Sequence, residues 1–284
     1  MPRTEQLGLT REDIFVQRTK MFPRLPKILT EGDSWFDLPF PGRNIIDQLI
    51  THYSGEACWL RLEHSGDEAT EMFLRDPKQH VNQVDTLQRV LKTYAFDLIL
   101  ISAGGNDIIG TDGDFFGSLL QSGDEDEPAS FLDLDRLTDK LDEIEEAYRA
   151  LFALRDQYQL GKKIVAHSYD DAIPQDRGVR LVFPIKGPWF WPHLIDAGIT
   201  SPRVQCDIVH ELMERFKARL QTLADEPGNK FLLLDTSDTV NDDQWEDELH
   251  PSAEGFHTVA EKFLPALREF CPGHFQHAWP LRAD

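Results

Sequence analysis

The chain has 284 residues, of which 29 are basic and 50 acidic, so its formal net charge is −21 at pH 7. This length is enough for one sizeable core and does not by itself require two domains. The negative charge repels nucleic-acid phosphates and anionic membrane surfaces, which argues against either as a partner. We interpret the acidity mainly as a source of solubility.

The cysteines and the N-terminal segment indicate a cytoplasmic protein. Cys58, Cys206 and Cys271 are odd in number and widely separated, which favours reduced thiols over a disulfide framework. Residues 1–20 are charged throughout and lack the apolar run of a secretion signal. No stretch approaches the roughly 18 uninterrupted apolar residues of a membrane span, so we expect no such span.

Five short apolar runs, each bounded by polar or turn residues, predict the strands of a sheet. They lie near residues 27–32, 57–64, 96–105, 162–168 and 230–236. Two of them contain almost continuously apolar stretches, "LILI" at 98–101 and "FLLL" at 231–234. Such stretches are typical of strands that are covered on both faces.

Segments with a helical spacing of apolar residues alternate with these strands. They cover residues 44–53, 81–94, 134–158, 202–224 and 253–270. Strands that alternate with helices are typical of right-handed crossovers and of a parallel sheet with helices on both faces. We therefore predict an α/β fold and a single domain over residues 1–284.

Two insertions interrupt this alternation of predicted strands and helices. Residues 110–131 are polar and acidic, and residues 177–199 are rich in proline and aromatic side chains. Long connections in compact domains are often lids or binding loops. The Trp189-Phe190-Trp191 segment of the second insertion allows three interpretations. It forms a loop packed on the body by its rings, an apolar wall or lid over a ligand, or a dimer contact.

Polar residues follow four of the predicted strands. Ligands of open parallel sheets bind at the carboxyl ends of the strands, so these residues are candidates for a site. The first three strands lead to "GDS" at 32–34, "HSGD" at 64–67 and "GGND" at 104–107. The last strand leads to Asp247 and His250, just before the closing helix.

Together these residues supply the parts that acyl transfer requires. Ser34 is a candidate nucleophile on a strand-to-helix turn, and a serine hydroxyl needs a base to remove its proton. His250 titrates near neutral pH and is a candidate base, while Asp247, three residues earlier, can reach the imidazole ring and fix its tautomer. The amides of Ser34 and Gly66 and the carboxamide of Asn106 are candidate donors to a developing oxyanion.

The four blocks resemble those of the SGNH (GDSL-type) hydrolase superfamily, with "GGND" read as G-x-N-D and "DELHP" as D-x-x-H-P. The resemblance covers residues 32–250 and implies a flavodoxin-like, three-layer α/β/α fold. Its central parallel sheet would have five strands in the order 2-1-3-4-5. The resemblance also implies serine esterase or lipase-like chemistry, with Ser34 as nucleophile, His250 as base and Asp247 as its partner. Ser34, Gly66 and Asn106 would form the oxyanion hole.

Some assignments around the site remain open. Asp243 and Glu246 are alternatives to Asp247 as the acid beside the histidine. The His167-Ser168 pair follows the fourth strand without a glycine elbow, so we interpret it as part of a loop that lines the pocket. His257 is interpreted as packing. No cysteine or histidine spacing indicates a metal site, and we predict neither a metal nor a cofactor.

The sequence therefore predicts a metal-independent serine hydrolase that cleaves small-molecule carboxylic esters through an acyl-enzyme intermediate. We expect Trp35, Trp189 and Trp191 to contact the substrate. Acyl transfer and thioester hydrolysis use the same groups and remain alternatives, as does a non-catalytic protein that binds a ligand on the same scaffold. The acyl chain, the alcohol and the oligomeric state are left open by the sequence.

Overall fold

The computed structural model describes residues 10–40, 42–180 and 184–279. Its strands are β1 Lys27–Gly32, β2 Cys58–Arg61, β3 Leu98–Ser102, β4 Lys163–His167, β5 Val179–Arg180, β6 Pro184–Lys186 and β7 Phe231–Leu234. All five strands predicted from the sequence are present, and each is shorter than or equal to the apolar run that indicated it.

Five of these strands form one parallel sheet in the order β2-β1-β3-β4-β7. Counted along the chain within this sheet, that order is 2-1-3-4-5, as the family resemblance implied. In the register, Ile28 of β1 faces Leu98 of β3, and Val165 of β4 faces Leu232 of β7. The predicted three-layer α/β/α fold is therefore confirmed.

Helices cover the sheet and provide the crossovers that parallel strands need. Their bounds are α1 Arg11–Met21, α2 Ser34–Asp37, α3 Ile45–His52, α4 Ala69–Phe73, α5 Gln83–Thr93, α6 Gly105–Ile109, α7 Asp114–Leu119, α8 Leu134–Gln159, α9 Trp191–Asp196, α10 Pro202–Asp225, α11 Ala253–Glu261 and α12 Leu264–Phe270. Within the described part of the chain, no helix combines the length and the apolar character needed to cross a membrane.

The closing helix differs from its prediction. The sequence indicated one helix over residues 253–270, but the structure has two, with α11 ending at Glu261 and α12 beginning at Leu264. Pro265 explains the break, because proline lacks an N–H and its ring clashes with the carbonyl four residues earlier in a continuous helix. At the second position of α12, that missing N–H would have had no intrahelical partner in any case.

Helix α1 was not predicted, because it has a weak apolar pattern with only Phe15 fully buried. Its start is nevertheless encoded locally by a capping box. The Thr10 hydroxyl accepts from the Asp13 N–H, and the Asp13 carboxylate accepts from the Thr10 N–H. The helix packs beside β2 at the edge of the sheet.

The two predicted insertions contain short, irregular elements. Residues 110–131 include α7, and Leu120 bridges to Leu132 to close the segment on itself. Within residues 177–199, β5 and β6 form an antiparallel ribbon that is followed by α9, while residues 181–183 lie outside the described ranges. The prediction of a single domain over the whole chain stays a prediction.

Gly32 allows β1 and β3 to approach each other where the first polar block begins. A Cβ atom at Gly32 would lie 2.5 Å from the carbonyl oxygen of Ser102 and 2.8 Å from its Cβ. The next residue, Asp33, donates its N–H to the same carbonyl at 3.0 Å. The glycine of "GDS" is therefore a packing requirement of the sheet at the point where the chain enters the site.

Replacing Gly32 with alanine should lower the free energy of unfolding by about 2–3 kcal/mol, because the added methyl overlaps backbone atoms that cannot move without disturbing the sheet. Gly55→Ala is the matched control, because no atom lies within 4 Å of the position that its added methyl would take. We expect the control to change stability by less than about 0.5 kcal/mol. Urea unfolding of both variants measures the difference, and equal stabilities would refute the close-approach explanation.

Candidate active site

The polar blocks meet around one pocket of about 280 Å³ at the carboxyl ends of the sheet strands. Ser34, Gly66, Asn106 and His250 all line it. Most of the other lining residues are apolar or aromatic: Trp35, Leu38, Pro39, Phe40, Ile109, Tyr169, Ala172, Val179, Trp189, Phe190, Met213 and Leu249. An apolar concavity with a few convergent polar groups is the usual form of a small-molecule site.

Ser34, His250 and Asp247 form one hydrogen-bonded chain. The Oγ of Ser34 lies 2.8 Å from Nε2 of His250, and the opposite ring nitrogen, Nδ1, lies 2.9 and 3.0 Å from the two carboxylate oxygens of Asp247. All three residues are buried. If Nδ1 carries the ring proton and donates it to the carboxylate, Nε2 is free to accept from the serine hydroxyl. This is the arrangement that activates a serine.

A tight loop places Asp247 beside the imidazole. One oxygen of its carboxylate accepts the backbone N–H groups of Leu249 and His250, each at 2.9 Å, so the side chain folds back onto its own loop. The alternative acids have other surroundings. Asp243 is exposed, and Glu246 forms an ion pair with Arg43 at 3.2 Å. The geometry therefore favours Asp247 over both neighbours.

Two of the candidate oxyanion donors, those of Gly66 and Asn106, are held around the same pocket through Asp107. Its carboxylate accepts from the N–H groups of Ala69 and Thr70 at 2.6 and 3.1 Å and from the Thr70 hydroxyl at 2.9 Å. Next to it, Asn106 donates one amide hydrogen to the Asp67 carbonyl at 2.8 Å. These contacts tie the loop that carries Gly66 to the helix that carries Asn106.

Ser34 is the first residue of α2, where a backbone N–H has no acceptor within the helix. Asp33 caps this helix by accepting the Trp35 N–H at 3.0 Å. Because the cap uses the Trp35 N–H, the Ser34 N–H is left as a possible donor to an oxyanion. Asp33 thus braces the turn that carries Ser34.

Asp33 also belongs to a buried network of hydrogen bonds with residues at the carboxyl ends of β3 and β4. One of its carboxylate oxygens accepts from Ser102 Oγ at 2.7 Å and the other from the Tyr169 hydroxyl at 2.5 Å. His167 completes the network: Nδ1 accepts the Tyr169 N–H at 3.2 Å and Nε2 lies 2.9 Å from Ser102 Oγ. The loop after β4, to which the sequence assigned the His167-Ser168 pair, lines the pocket through Tyr169 and Asp170, whereas the pair itself is not among the described lining residues.

Burial sets the protonation of this network. It raises the pKa of Asp33 to about 6, even though the hydrogen bonds from Tyr169, Ser102 and the Trp35 N–H and the charge of His250 all lower it. Burial also lowers the pKa of His167 to about 3, so this imidazole is neutral at physiological pH. A neutral ring with Nδ1 accepting must donate from Nε2, which directs the Ser102 hydroxyl hydrogen toward Asp33.

Trp35 is a core residue with one side open to the pocket. Its ring stacks on His167 at 5.4 Å between centroids and meets the edges of Tyr169 at 5.2 Å and Phe256 at 5.5 Å. The bulky residue that follows the serine therefore fills the space between the sheet and α11. Its contribution to the pocket is a fixed apolar surface.

The aromatic segment is both packed on the body and part of the pocket. Trp189 lies 5.8 Å from the His250 ring between centroids, and Phe190 packs edge-on against Phe116 at 4.7 Å. Trp189 and Phe190 line the pocket, whereas Trp191 is not among the described residues that do. The segment is thus packed on the body and contributes to the pocket wall, while a contact of each tryptophan with a substrate and a dimer contact stay predictions.

Glu248 holds this segment against the loop that carries His250, and sequence reasoning missed it. The buried carboxylate accepts from the N–H groups of Trp189, Phe190 at 2.8 Å, Trp191 at 2.7 Å and Gln175 at 3.2 Å. Burial raises the pKa of Glu248, while the hydrogen bonds lower it. Nothing in the sequence "DELH" distinguishes Glu248 from an exposed acidic residue, because its hydrogen-bond partners lie 57 to 73 positions away in the chain.

Two further predictions concern residues beside the site. His257 is buried on α11, with Nδ1 3.3 Å from Oε1 of Gln48 and its ring 4.7 Å from that of Trp279, which agrees with a packing role. Among the described residues, no group of three or more His, Cys, Asp or Glu side chains is placed to hold a metal ion. The absence of a metal or cofactor from the reaction remains a prediction.

No family model and no curated protein matches the chain significantly. Solved structures do match. An arylesterase candidate from Agrobacterium tumefaciens is 14% identical, with a TM-score of 0.51 over 87% of this chain and 100% of that one. A carbohydrate acetylesterase family member from Sinorhizobium meliloti is 16% identical, with a TM-score of 0.51 over 87% of this chain and 99% of that one. A GDSL-like lipase candidate from Bacteroides ovatus is 13% identical, with a TM-score of 0.47 over 86% of this chain and 53% of that one.

These comparisons concern the arrangement of the backbone. The chain shares its fold with the arylesterase candidate and the acetylesterase family member over nearly their whole lengths. The three-layer fold expected from the sequence is thus one that this chain shares with both structures. At these identities the activity has to be argued from the residues of the site itself.

Replacing Asp33 with asparagine should remove one component of the pH dependence of stability. The pKa of Asp33 rises from 3.8 to about 6 in the folded chain, so the folded state binds this proton more tightly than the unfolded state. The resulting stabilisation is complete at a pH below the pKa that Asp33 has in the unfolded chain. It is lost as the pH rises through the pKa that Asp33 has in the folded chain. Between about pH 4 and pH 7, the free energy of unfolding should therefore fall by about 2–3 kcal/mol more in the wild type than in Asp33→Asn.

Urea titrations of both proteins at the two pH values measure this difference. The comparison uses the change with pH within each protein, so a general loss of stability in the variant does not affect it. Parallel pH dependences in the two proteins would show that Asp33 does not carry a raised pKa.

Proposed function

We propose that the chain is a serine hydrolase that cleaves carboxylic esters of small molecules through an acyl-enzyme intermediate. The observation that supports it most is the hydrogen-bonded chain from Ser34 through His250 to Asp247, which opens on an apolar pocket. A structural histidine at this position would not need an acid on one nitrogen and a serine on the other. The shared fold with esterases adds to this support.

In the first step, Ser34 Oγ attacks the ester carbonyl while His250 Nε2 takes the hydroxyl proton. The 2.8 Å separation of these two atoms already suits that transfer. The imidazolium that forms is stabilised by the Asp247 carboxylate, which accepts its Nδ1–H and does not itself need to be protonated. The negative charge moves to the former carbonyl oxygen.

That oxyanion would be bound by the backbone N–H groups of Ser34 and Gly66 and by the free amide hydrogen of Asn106. The N–H of Ser34 belongs to the same residue as the nucleophile, so it lies close to any carbonyl under attack. Donors fixed in place before the reaction stabilise the developing charge without reorganisation. Asp33 and Asp107, through the backbone contacts described above, hold these donors in position.

The intermediate collapses when His250 gives its proton to the leaving alcohol oxygen, which breaks the ester C–O bond and leaves an acyl group on Ser34. Water then attacks the acyl-enzyme with His250 as base, and the carboxylic acid leaves as serine is restored. The sequence of proton transfers uses only groups of this chain and one water molecule. No cofactor enters these steps.

Trp35, Trp189 and Trp191 are the proposed substrate contacts. The first two present apolar surface inside the pocket, where the acyl or alcohol part of an ester would be removed from water. Trp191 would act at the rim, because it begins α9 directly after the lining residue Phe190. A volume of about 280 Å³ admits an organic ester with a short chain or a single ring.

The nucleophile is tested by Ser34→Ala with a p-nitrophenyl ester as substrate. Loss of the hydroxyl removes the acyl-enzyme route, so kcat/KM should fall by at least about 10³-fold. The variant should unfold in urea at the same midpoint as the wild type to within a small shift, which separates loss of chemistry from loss of fold. Turnover retained in Ser34→Ala would end the proposal.

The acid is tested by comparing Asp247→Asn with Asp243→Asn. The first variant should lower kcat on the order of 10²–10⁴-fold with little change in KM, because asparagine cannot stabilise the imidazolium or select its tautomer. The second changes an exposed acid of the same loop and should stay near wild-type activity. If the two variants behave in the opposite way, the acid role belongs to Asp243.

A further inference from the structure

Lys186 is the only lysine or arginine among the described residues that line the pocket of Ser34. It ends strand β6, and its side chain is exposed at the mouth of the pocket. Within the described residues, its ammonium group has neither a hydrogen-bond nor an ion-pair partner. Many other basic side chains of this acidic chain are paired, for example Lys140 with Glu143 and Arg149 with Glu226.

The two carboxylates that line the pocket are already fully used by the protein. Asp33 accepts from Ser102, Tyr169 and the Trp35 N–H, as described above. Asp170 accepts four backbone N–H groups, those of Asp171, Asp238, Thr239 and Val240, at 2.6 to 2.9 Å. Neither is available to pair with the ammonium of Lys186, which is therefore the one uncommitted formal charge among the described lining residues.

The position of Lys186 is fixed from both ends of the ribbon. In the ribbon it pairs with Val179, which also lines the pocket. Before the ribbon, Gln175 donates to Glu248, and the backbone N–H of Glu248 donates to the carbonyl of Arg177 at 3.0 Å. After the ribbon, Glu248 accepts the Trp189 N–H. The residue that carries the free ammonium is thus held to the loop that carries His250.

The net charge of −21 does not prevent an anion from binding at this point. Charges on an exposed surface are largely screened beyond about 8–10 Å at physiological ionic strength. A negative group at the pocket mouth therefore responds mainly to its nearest charges. Among the described lining residues, the free formal charge is the ammonium of Lys186, and Trp189 and Phe190 provide an aromatic wall.

We propose that the ester hydrolysed at this site carries a carboxylate, which binds the ammonium of Lys186 while the rest of the molecule lies against Trp189 and Phe190. This inference rests on the hydrolase function proposed above and names a substrate class for it. The ammonium adds a charged contact at the rim of an otherwise apolar pocket, so it selects among esters without taking part in the proton transfers. Lys186 is a specificity-determining residue in this assignment.

The test compares esters of similar size that differ at one group, which is charged in one ester and neutral in the other. The first pair is p-nitrophenyl hexanoate and the mono-p-nitrophenyl ester of adipic acid, which places the carboxylate on the acyl side. The second pair is 4-hexanoyloxybenzoate and its methyl ester, which places it on the alcohol side. For each pair the ratio of kcat/KM, charged over neutral, is measured for the wild type, Lys186→Met and Lys186→Glu.

We expect one of the two ratios to fall by roughly three- to fivefold in Lys186→Met, the size of an exposed ion pair, and by roughly tenfold or more in Lys186→Glu. The pair that responds identifies the side of the ester that reaches the ammonium. Raising the ionic strength from about 0.05 to 0.5 M should lower the same ratio in the wild type but not in Lys186→Met.

Lys92→Met is the matched control, because Lys92 is an exposed lysine on α5 that does not line the pocket. It changes the net charge of the protein by the same amount, so both ratios should stay at their wild-type values. Equal ratios in the wild type and both Lys186 variants, for both pairs, would overturn the inference. Absence of turnover for the neutral and the charged esters alike would instead be a failure of the proposed hydrolase function.

Discussion

The hydrogen bond between Ser34 and His250 joins two loops that are 216 positions apart in the chain. It can form only because strands β1 and β7 run in the same direction in one sheet, so that the residues following each strand emerge at the same edge. The sheet places these loops roughly. Local contacts then bring the two side chains to hydrogen-bonding distance, and the chemistry proposed here depends on that last step.

Buried carboxylates provide most of those local contacts. Asp33, Asp107, Asp170 and Glu248 each accept one or more backbone N–H groups from a loop that borders the pocket. Burial raises the pKa of each, and the hydrogen bonds to the charged form oppose that rise. The acidic composition, interpreted from the sequence as a source of solubility, therefore has a second use, because some of these acids fix the loops around the site.

The same hydrogen bonds join the separate segments that border the pocket. Asp33 fixes the turn of Ser34, and Asp107 fixes the loop of Gly66 against the helix of Asn106. Glu248 fixes the aromatic segment against the loop of His250. The pocket wall that contains Trp189 is thus attached to the loop that carries His250, so a displacement of one would also displace the other.

Much of the fold could be predicted from the sequence because the signals are local. The apolar runs of β3 and β7 indicate buried strands, and "GDS", "GGND" and "DELHP" each follow the end of a predicted strand. Other features depend on contacts that no local pattern reveals. Glu248 resembles any other acid in an acidic stretch, and the network of His167 and Tyr169 with Asp33 joins residues more than 130 positions apart.

Two errors in the predicted helices have physical causes. Helix α1 is highly charged and its apolar face is narrow, so its sequence lacks a clear helical pattern of apolar residues. Only the capping box indicates where it begins. The amphipathic pattern of residues 253–270 continues across Pro265, although the backbone there cannot. In both cases the hydrogen bonding of the backbone determines where a helix begins or ends. The periodicity of apolar residues does not report on that hydrogen bonding.

The most direct test of the account is to find which atom reacts with an electrophile that mimics an ester. Treatment with a fluorophosphonate followed by tryptic digestion should modify the peptide spanning residues 28–43, in which Ser34 is the only serine. The account predicts one phosphonyl group per chain on that peptide and none on it when His250 is replaced by alanine. An unmodified 28–43 peptide, with or without labelling at another serine, would contradict it.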